Sequence, residues 1–392
     1  LVRFIEGTGG GGSVKSLEEQ GSTYVPYNPG WDKVIENLSK IPVISLALGP
    51  VAGLGAARLV SSHYSIMVRK VSQIFVAGPP LVEKIGEKVT KEELGGSEVH
   101  GSNGVIDDIA DSEAEAMKMA KTFLSFMPSS IHCLPKKEVT KDDPLRKDDF
   151  LLSIIPKNKR ESYDILPIIK SVVDKNSFFE LGKKYGLSVI TGLARLDGYP
   201  IIVLANNPQV YGGGWTTNSC KKVIKIMDLA QVFHFPVLNF VDNPGFIIGK
   251  NAEKDGTIKY GAKALAAMYQ FKNPMCSIIL RKVFGVAGAA HTNHMNFKFR
   301  FAWPSADTGS LPFEGGIEAA YKSEISQSKD PEKFIKDKYV KLNSLTSPFR
   351  TAEKFLLENV IDPRDTRKEA CIWIKLAYKK LRTGSSSFGY RP

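Results

Sequence analysis

Cysteine is scarce in this chain: four in 392 residues, Cys133, Cys220, Cys276 and Cys371, far apart and in no CxxC pair. That spacing argues against a disulfide framework or a zinc site and fits reduced thiols. Long apolar runs are missing too, so a membrane-spanning helix is not expected. No His-Glu-x-x-His pair and no Gly-x-Ser-x-Gly elbow occurs, which removes the common zinc and serine hydrolases. The glycine run Gly9-Gly10-Gly11-Gly12-Ser13 lacks the Lys-Ser/Thr ending of a P-loop, which removes triphosphate binding of that kind. An initiating methionine is also absent, and Leu1 to Glu6 already reads as an interior strand. The expectation is a fragment or processed product whose targeting cannot be read.

What is present is an ordinary globular composition, 43% hydrophobic and 24% charged, with a net charge of +12. The length suits two domains of roughly 150 residues or more. Excess positive charge fits nucleic acid, an anionic metabolite or a carboxylated partner. The lysines are dispersed, and no RNA-binding aromatic motif, helix-turn-helix or zinc finger accompanies them. Neither a nucleic-acid nor a membrane partner is expected.

One pattern is stated twice. In the first half Pro42 is followed by Ser45 after three residues and by Gly53 after eleven; in the second, Pro274 is followed by Ser277 and Gly285 at the same intervals. Each copy reads as a buried strand, a glycine turn and the small-residue start of a helix. Such a junction presents backbone N–H groups that have no intrahelical partner, and these can hold an oxyanion. The donors are main-chain groups, so Leu54 and Val286 are admissible beside the glycines. Close packing is the competing explanation for glycine at one such junction; repetition at matched spacing favours function.

The flanks repeat as well. A β-rich run ending in a carboxylate and glycine precedes each copy, Val2 to Gly9 and Asn239 to Gly245. A helical stretch follows it, Trp31 to Leu38 and Tyr260 to Phe271. After each turn come a helix and an apolar strand ending at proline, Gln73 to Pro79 and Phe299 to Pro304, a βαβ logic. The second copy has an extra hairpin around Asp197-Gly198. The polar, proline-bounded stretch 135–149 reads as a linker. It separates a domain at 1–134 from one at 150–392. The segment from about Glu314 to Leu381 carries helical periodicity, and the tail Thr383 to Pro392 reads as flexible or edge-bound.

Other candidates weigh differently. The loop at Gly9 and Gly10 is read as lining an acyl pocket. Asp242 in Asp242-Asn-Pro-Gly-Phe246 is either a turn residue or a general base, and no titratable partner stands near it in sequence. His291 and His294 follow the second turn; a capping or polar-core role is favoured for His291, and no metal-ligand set exists. Ser45 and Ser277 fall inside apolar strands and read as structural.

Taken together the residues resemble a known family. The matching segments are Gly49-Pro50-Val-Ala-Gly53, Phe75-Val-Ala-Gly-Pro79, Glu92-Glu93-Leu94-Gly95-Gly96 and Gly192-Leu-Ala-Arg195-Leu-Asp-Gly198. They continue with Asn206-Asn207-Pro208, Phe240-Val-Asp242-Asn-Pro244-Gly245-Phe246, Arg281-Lys282-Val-Phe284-Gly285 and Asp362-Pro363-Arg364-Asp365-Thr366-Arg367. The chain resembles the carboxyltransferase (beta) subunits of biotin-dependent acyl-CoA carboxylases of the propionyl-CoA and methylcrotonyl-CoA type. The likeness runs from near residue 1 to near the C-terminus.

The resemblance implies an α/β fold of two crotonase-like β/α superhelical domains, the first N-terminally truncated. It implies a carboxyl transfer from carboxybiotin to an acyl-CoA, with the active site between the first domain of one subunit and the second of another. Gly53 and Leu54 would hold the thioester oxygen; Gly285, Val286, Ala287 and Gly288 would hold the ureido oxygen of biotin. Gly9, Gly10, Ala52, Gly55, Phe246 and Ala289 would contact substrate. Biotin would be carried by a partner carrier domain, with a biotin carboxylase beside it, in a dimer-based hexamer. The compartment would be the mitochondrial matrix in a eukaryote and the cytoplasm in a bacterium.

Two departures from the family pattern stand out. Leu54 replaces a second glycine at the first turn, and Ala289 or Ala290 stands where propionyl-type members carry Asp. Alternatives to the carboxylase reading are a biotin-dependent acyl-CoA decarboxylase and a non-catalytic paralogue acting as a scaffold.

Overall fold

The structure is a computed structural model. It describes the chain apart from residues 8–10, 24, 26, 27, 292–296, 311, 312, 344 and 387–392, and the side chains of 11–14 and 313–315.

The strands are β1 (Val2–Gly7), β2 (Ile44–Ala52), β3 (Tyr64–Val68), β4 (Gln73–Phe75) and β5 (Asp108–Ala110) in the first half. The second half holds β6 (Phe179–Leu181), β7 (Val189–Leu196), β8 (Tyr199–Asn206), β9 (Val237–Asn243) and β10 (Met275–Phe284). Three short strands complete it: β11 (Lys298–Ala302), β12 (Asp307–Gly309) and β13 (Asn359–Val360). The helices that matter for the site are α1 (Trp31–Leu38), α2 (Leu54–Val60), α3 (Glu113–Phe126), α4 (Thr217–Val232), α5 (Thr257–Gln270), α6 (Gly285–Ala290) and α7 (Thr366–Lys380).

Two sheets repeat one plan. In the first, β1-β2-β3-β5 are parallel neighbours and β4 pairs with the end of β2. In the second, β9-β10-β11-β13 are parallel neighbours and β12 pairs with the end of β10. Both β2 and β10 are buried almost along their length, as parallel strands covered on both faces must be. The duplication corrects one correspondence drawn from sequence. Gln73–Phe75 matches Asp307–Gly309, because each pairs with the last residues of the strand before the turn. The apolar run from Phe299 matches β3 instead.

The second sheet extends past β9 to β8, β7 and β6, and β7 runs antiparallel to both its neighbours. The hairpin turn is as expected: Asp197 and Gly198 both take positive φ, 49° and 80°, as a two-residue turn of this twist requires. In the first sheet β1 pairs with β2 alone among the described strands, and Phe4 is 58% exposed. The strand expected to be interior therefore lies at an edge.

The core crosses between the halves. Tyr64 stacks on Phe123 at 4.9 Å and meets Phe179 edge-on at 5.8 Å. Leu38, Ile44 and Phe123 share one buried cluster with Trp215, Phe233 and Met268. Each fully buried large apolar side chain contributes about 1.5–3 kcal/mol, so this cluster fixes how the two sheets sit. The stretch 135–149 is tied to the second half by buried arginines. Arg367 donates to the carbonyls of Asp142 and Asp143 and pairs with Asp174, while Arg195 donates to the carbonyl of Lys136 and pairs with Glu138.

Candidate active site

Each glycine turn joins the central strand of its sheet to a short helix. At the first, Gly53 has φ 59° and ψ −125°, a conformation side-chain-bearing residues avoid. It allows β2 to turn into α2 within one residue. The N–H of Gly53 donates to the carbonyl of Phe75 at 3.3 Å, anchoring the turn on β4. Ala57 then makes the first helical bond, back to the Gly53 carbonyl at 3.0 Å. Leu54, Gly55 and Ala56 precede that bond, so their N–H groups form the free donor set of α2. Gly53 thus sets the geometry of the turn, and its own N–H is taken up by β4. The Leu54 side chain is 47% exposed and turns away from the core.

The second turn is alike. Gly285 has φ 61°, and Val286, 57% exposed, occupies the place of Leu54. Ala287 and Gly288 are buried against β10. A Cβ on Gly288 would lie 3.0 Å from Val283 backbone and side chain, so α6 packs tightly on β10 there. Ala289 is exposed and Ala290 is buried.

The loops after β1 and β9 complete each unit. A Cβ on Gly55 would sit 3.8 Å from the Gly7 carbonyl, and one on Gly245 would sit 3.9 Å from the Phe284 carbonyl. The strand-end loop therefore abuts the glycine turn in both halves. This gathers Ala52, Gly53, Leu54 and Gly55 at the first turn. Gly9 and Gly10 lie outside the described residues. The Phe246 ring packs near Trp215 at 6.2 Å, and a Cβ on Gly261 of α5 would touch it.

Asp242 is held by partners on every side. Its carboxylate is fully buried, accepting from Tyr163 Oη at 2.9 Å, Arg281 Nε at 3.0 Å and the Lys282 N–H at 3.0 Å. The partner absent from its own neighbourhood is Arg281, 39 residues on, at the end of β10. The pair braces β9 to β10 immediately behind the second turn.

His291 caps the C-terminus of α6 and is buried, where desolvation pushes its pKa down to about 3. Its Nδ1 lies 2.9 Å from the amide of Asn239 and its Nε2 3.0 Å from that of Asn243. A neutral imidazole donates at one nitrogen and accepts at the other. Asn243 has its carbonyl engaged by the Gly245 N–H, so its amide nitrogen donates to Nε2. The Nδ1 faces the amide nitrogen of Asn239, which also donates to Ser277 Oγ at 3.1 Å. Ser277 donates to the His291 carbonyl at 2.9 Å. Thus Ser277 ties α6 to β10, whereas its counterpart Ser45 is buried with no partner. His294 lies outside the described residues.

Two parallel-sheet units, each with a glycine turn after its central strand, define a crotonase-like α/β protein. The chain belongs to the carboxyl transferase domain family, which it matches over residues 32–388. It is 30% identical over 348 residues to the propionyl-CoA carboxylase carboxyltransferase subunit of Haloferax mediterranei, covering 88% of this chain and 67% of that one. It is 31% identical over 331 residues to methylmalonyl-CoA decarboxylase subunit alpha of Veillonella parvula, covering 83% and 64%. Among solved structures, transcarboxylase 12S superposes with a TM-score of 0.90 at 26% identity, over all of this chain and 74% of that one. The chain therefore spans about two thirds to three quarters of the length of these relatives. It is a carboxyltransferase of the acyl-CoA carboxylase type.

Proposed function

We propose that the chain transfers a carboxyl group from carboxybiotin to the α carbon of an acyl-CoA, with one oxyanion held at each turn. The duplicated unit carries this reading: strand-end loop, buried strand, positive-φ glycine and exposed backbone donors recur at matched places in both sheets. Leu54 N–H, with Gly55 beside it, holds the thioester oxygen as negative charge develops there. Val286 and Ala287 hold the ureido oxygen, and the exposed turn with small residues around it suits a planar ring. When bound, carboxybiotin supplies both the carboxyl group and the base for the α-proton. No side-chain base is then needed, in keeping with the engagement of Asp242 by Tyr163 and Arg281. A preorganised donor of this kind contributes about 10²–10³ in kcat.

In this reading residues 1–134 form the acyl side, with Gly9, Gly10, Ala52 and Gly55 lining the acyl pocket. Residues 135–149 join it to the biotin side at 150–392, where Phe246 and Ala289 flank the ring. Biotin arrives on a carrier domain served by a biotin carboxylase. Two subunits complete each site in a dimer-based hexamer; the solved transcarboxylase 12S is described as a hexamer, and exposed Leu54, Val76, Val286 and Ile248 supply apolar surface for such packing. Ala289 or Ala290, in place of the aspartate that propionyl-type members carry, leaves room for a different or bulkier acyl group. The compartment follows the source, mitochondrial matrix or bacterial cytoplasm. A second reading, decarboxylation of a malonyl-type CoA, is favoured by the likeness to the Veillonella decarboxylase subunit.

The test supplies the chain with a biotinylated carrier, biotin carboxylase, ATP, labelled bicarbonate and propionyl-CoA. Acid-stable label on the acyl-CoA is expected. No label, with loss of CO2 from methylmalonyl-CoA, selects the second reading. Neither reaction overturns both and leaves the scaffold role.

A further inference from the structure

A cavity of about 630 Å³ opens between the two halves, lined by none of the turn residues. It meets α2 at Val60, the end of the helix opposite Leu54, roughly 10 Å away along the axis. Its volume is that of a small-molecule site, which typically spans about 300–1,000 Å³. Apolar side chains form much of the wall: Val60, Ile106, Leu181 and Ile224.

The polar part of the wall is unbalanced in charge. Four lysines line it, Lys221, Lys222 and Lys225 from α4 and Lys263 from α5, against one carboxylate, Asp107. Asp107 is already paired with Lys225 at 2.6 Å. Lys222 is buried, its Nζ donating to the carbonyls of Gly182 at 2.9 Å and Val189 at 2.8 Å. Lys221 and Lys263 instead share one aromatic ring: their Nζ atoms stand 4.5 and 5.0 Å from the centroid of Tyr260. No carboxylate pairs with either among the described residues. Two ammonium groups gathered on one ring repel each other unless an anion joins them. The ring itself offers only a weak attraction at a partly exposed site.

We propose that this cavity binds a small amphiphilic organic anion. Its phosphate or carboxylate lies between Lys221 and Lys263 beside Tyr260, and its apolar body rests on Val60, Ile106 and Leu181. The site is separate from carboxyl transfer and does not depend on that reading.

Calorimetric titration of the full chain with octyl phosphate, octanoate, inorganic phosphate and octanol tests it. Saturable binding of one octyl phosphate or octanoate per chain is expected, at least about tenfold tighter than phosphate or octanol. Whichever of the two binds more tightly identifies the head group. The double change Lys221→Gln/Lys263→Gln, at two exposed positions, is expected to weaken binding about tenfold with Tm unchanged, the order of two partly solvated charge contacts. Gly53→Ala is expected to leave this binding as it is. Three results would overturn the proposal: no saturable binding, binding indifferent to the two lysines, or octanol binding as well as the anions. Loss of binding in Gly53→Ala would do the same, by moving the anion to the turn.

Discussion

Replacing Gly53 by alanine separates the chemistry of the first turn from its packing. A Cβ at this position meets no atom within 4 Å, so there is no clash to relieve. The cost lies in the backbone, at φ 59° and ψ −125°, and amounts to about 1–3 kcal/mol for a side-chain-bearing residue. Two bonds resist relaxation: Gly53 N–H to Phe75, and Ala57 N–H to the Gly53 carbonyl. Each is worth about 0.5–1.5 kcal/mol, so strain and anchorage are nearly equal. The peptide joining Gly53 to Leu54 then swings part-way toward an allowed conformation, carrying the Leu54 N–H off its direction. Loss of that donor lowers kcat about 10²-fold, while Tm falls only a few degrees. The assay is carboxyl exchange between acyl-CoA and free biotin, with kcat and KM measured separately beside a thermal melt. Gly78→Ala is the control: its φ of −72° is ordinary, and its Cβ meets only Pro80 at 3.8 Å. Its kcat is expected to stay within a few-fold of the parent. A Gly53→Ala protein with unchanged kcat, or a Gly78→Ala protein more damaged than it, refutes the donor role.

Other outcomes follow from the buried groups. Asp242→Asn is expected to destabilise the fold by about 3–5 kcal/mol in urea, because it strands buried Arg281; a fall in kcat at unchanged stability would restore the base role instead. Stability also depends on pH. Burial lowers His63 and His291 to about 3, so the stability they lend is full above pH 6.5 and drains as pH falls toward 3. Burial raises Asp108 to about 7, so its folded form keeps a proton the unfolded chain releases, and stability grows as pH falls from 7 toward 4. Between about pH 4 and 6.5 Asp108 offsets part of the loss that the buried histidines His63, His234 and His291 impose on acidification, by about 1.4 kcal/mol per pH unit. Asp108→Asn is expected to steepen the loss by about that amount in urea titrations at pH 4.5 and 6.5; an unchanged slope would show that Asp108 titrates normally.

The features legible in sequence are those written in local order. The helix at Trp31–Leu38 and the Asp197-Gly198 hairpin needed only neighbours a few residues away, and both stand as expected. The two turns were found because a strand of fixed length must end in glycine before its helix can start, and that spacing repeats. The short strands β4 and β12 were harder. Three residues carry no periodicity, and β12 exists only because β10 has a free edge at Lys282 to Phe284. Its partner in the first half was therefore misassigned to a more apolar segment.

Polar groups behind the turns were hidden for a related reason. Asp242, Arg281 and Tyr163 come from three separate regions of the chain, and only parallel pairing of β9 with β10 brings the first two together. In sequence Asp242 read as a turn residue or a base; in the fold it satisfies Arg281 and Tyr163. The stretch 135–149 shows the same effect. Its charges read as a solvated linker, yet Asp142 is clasped by Arg146 and Arg367 and its backbone carbonyls are engaged by Arg367 as well. A run of charges is a linker only while its counter-charges lie elsewhere in solvent. Here they arrive from the last helix, more than 200 residues downstream, and convert a spacer into a strap that holds α7 against the second sheet. The two glycine turns face the opposite situation. Each turn is made by a glycine adjacent in sequence to the strand it ends, which is why the turns could be read from sequence while the side chains around them could not.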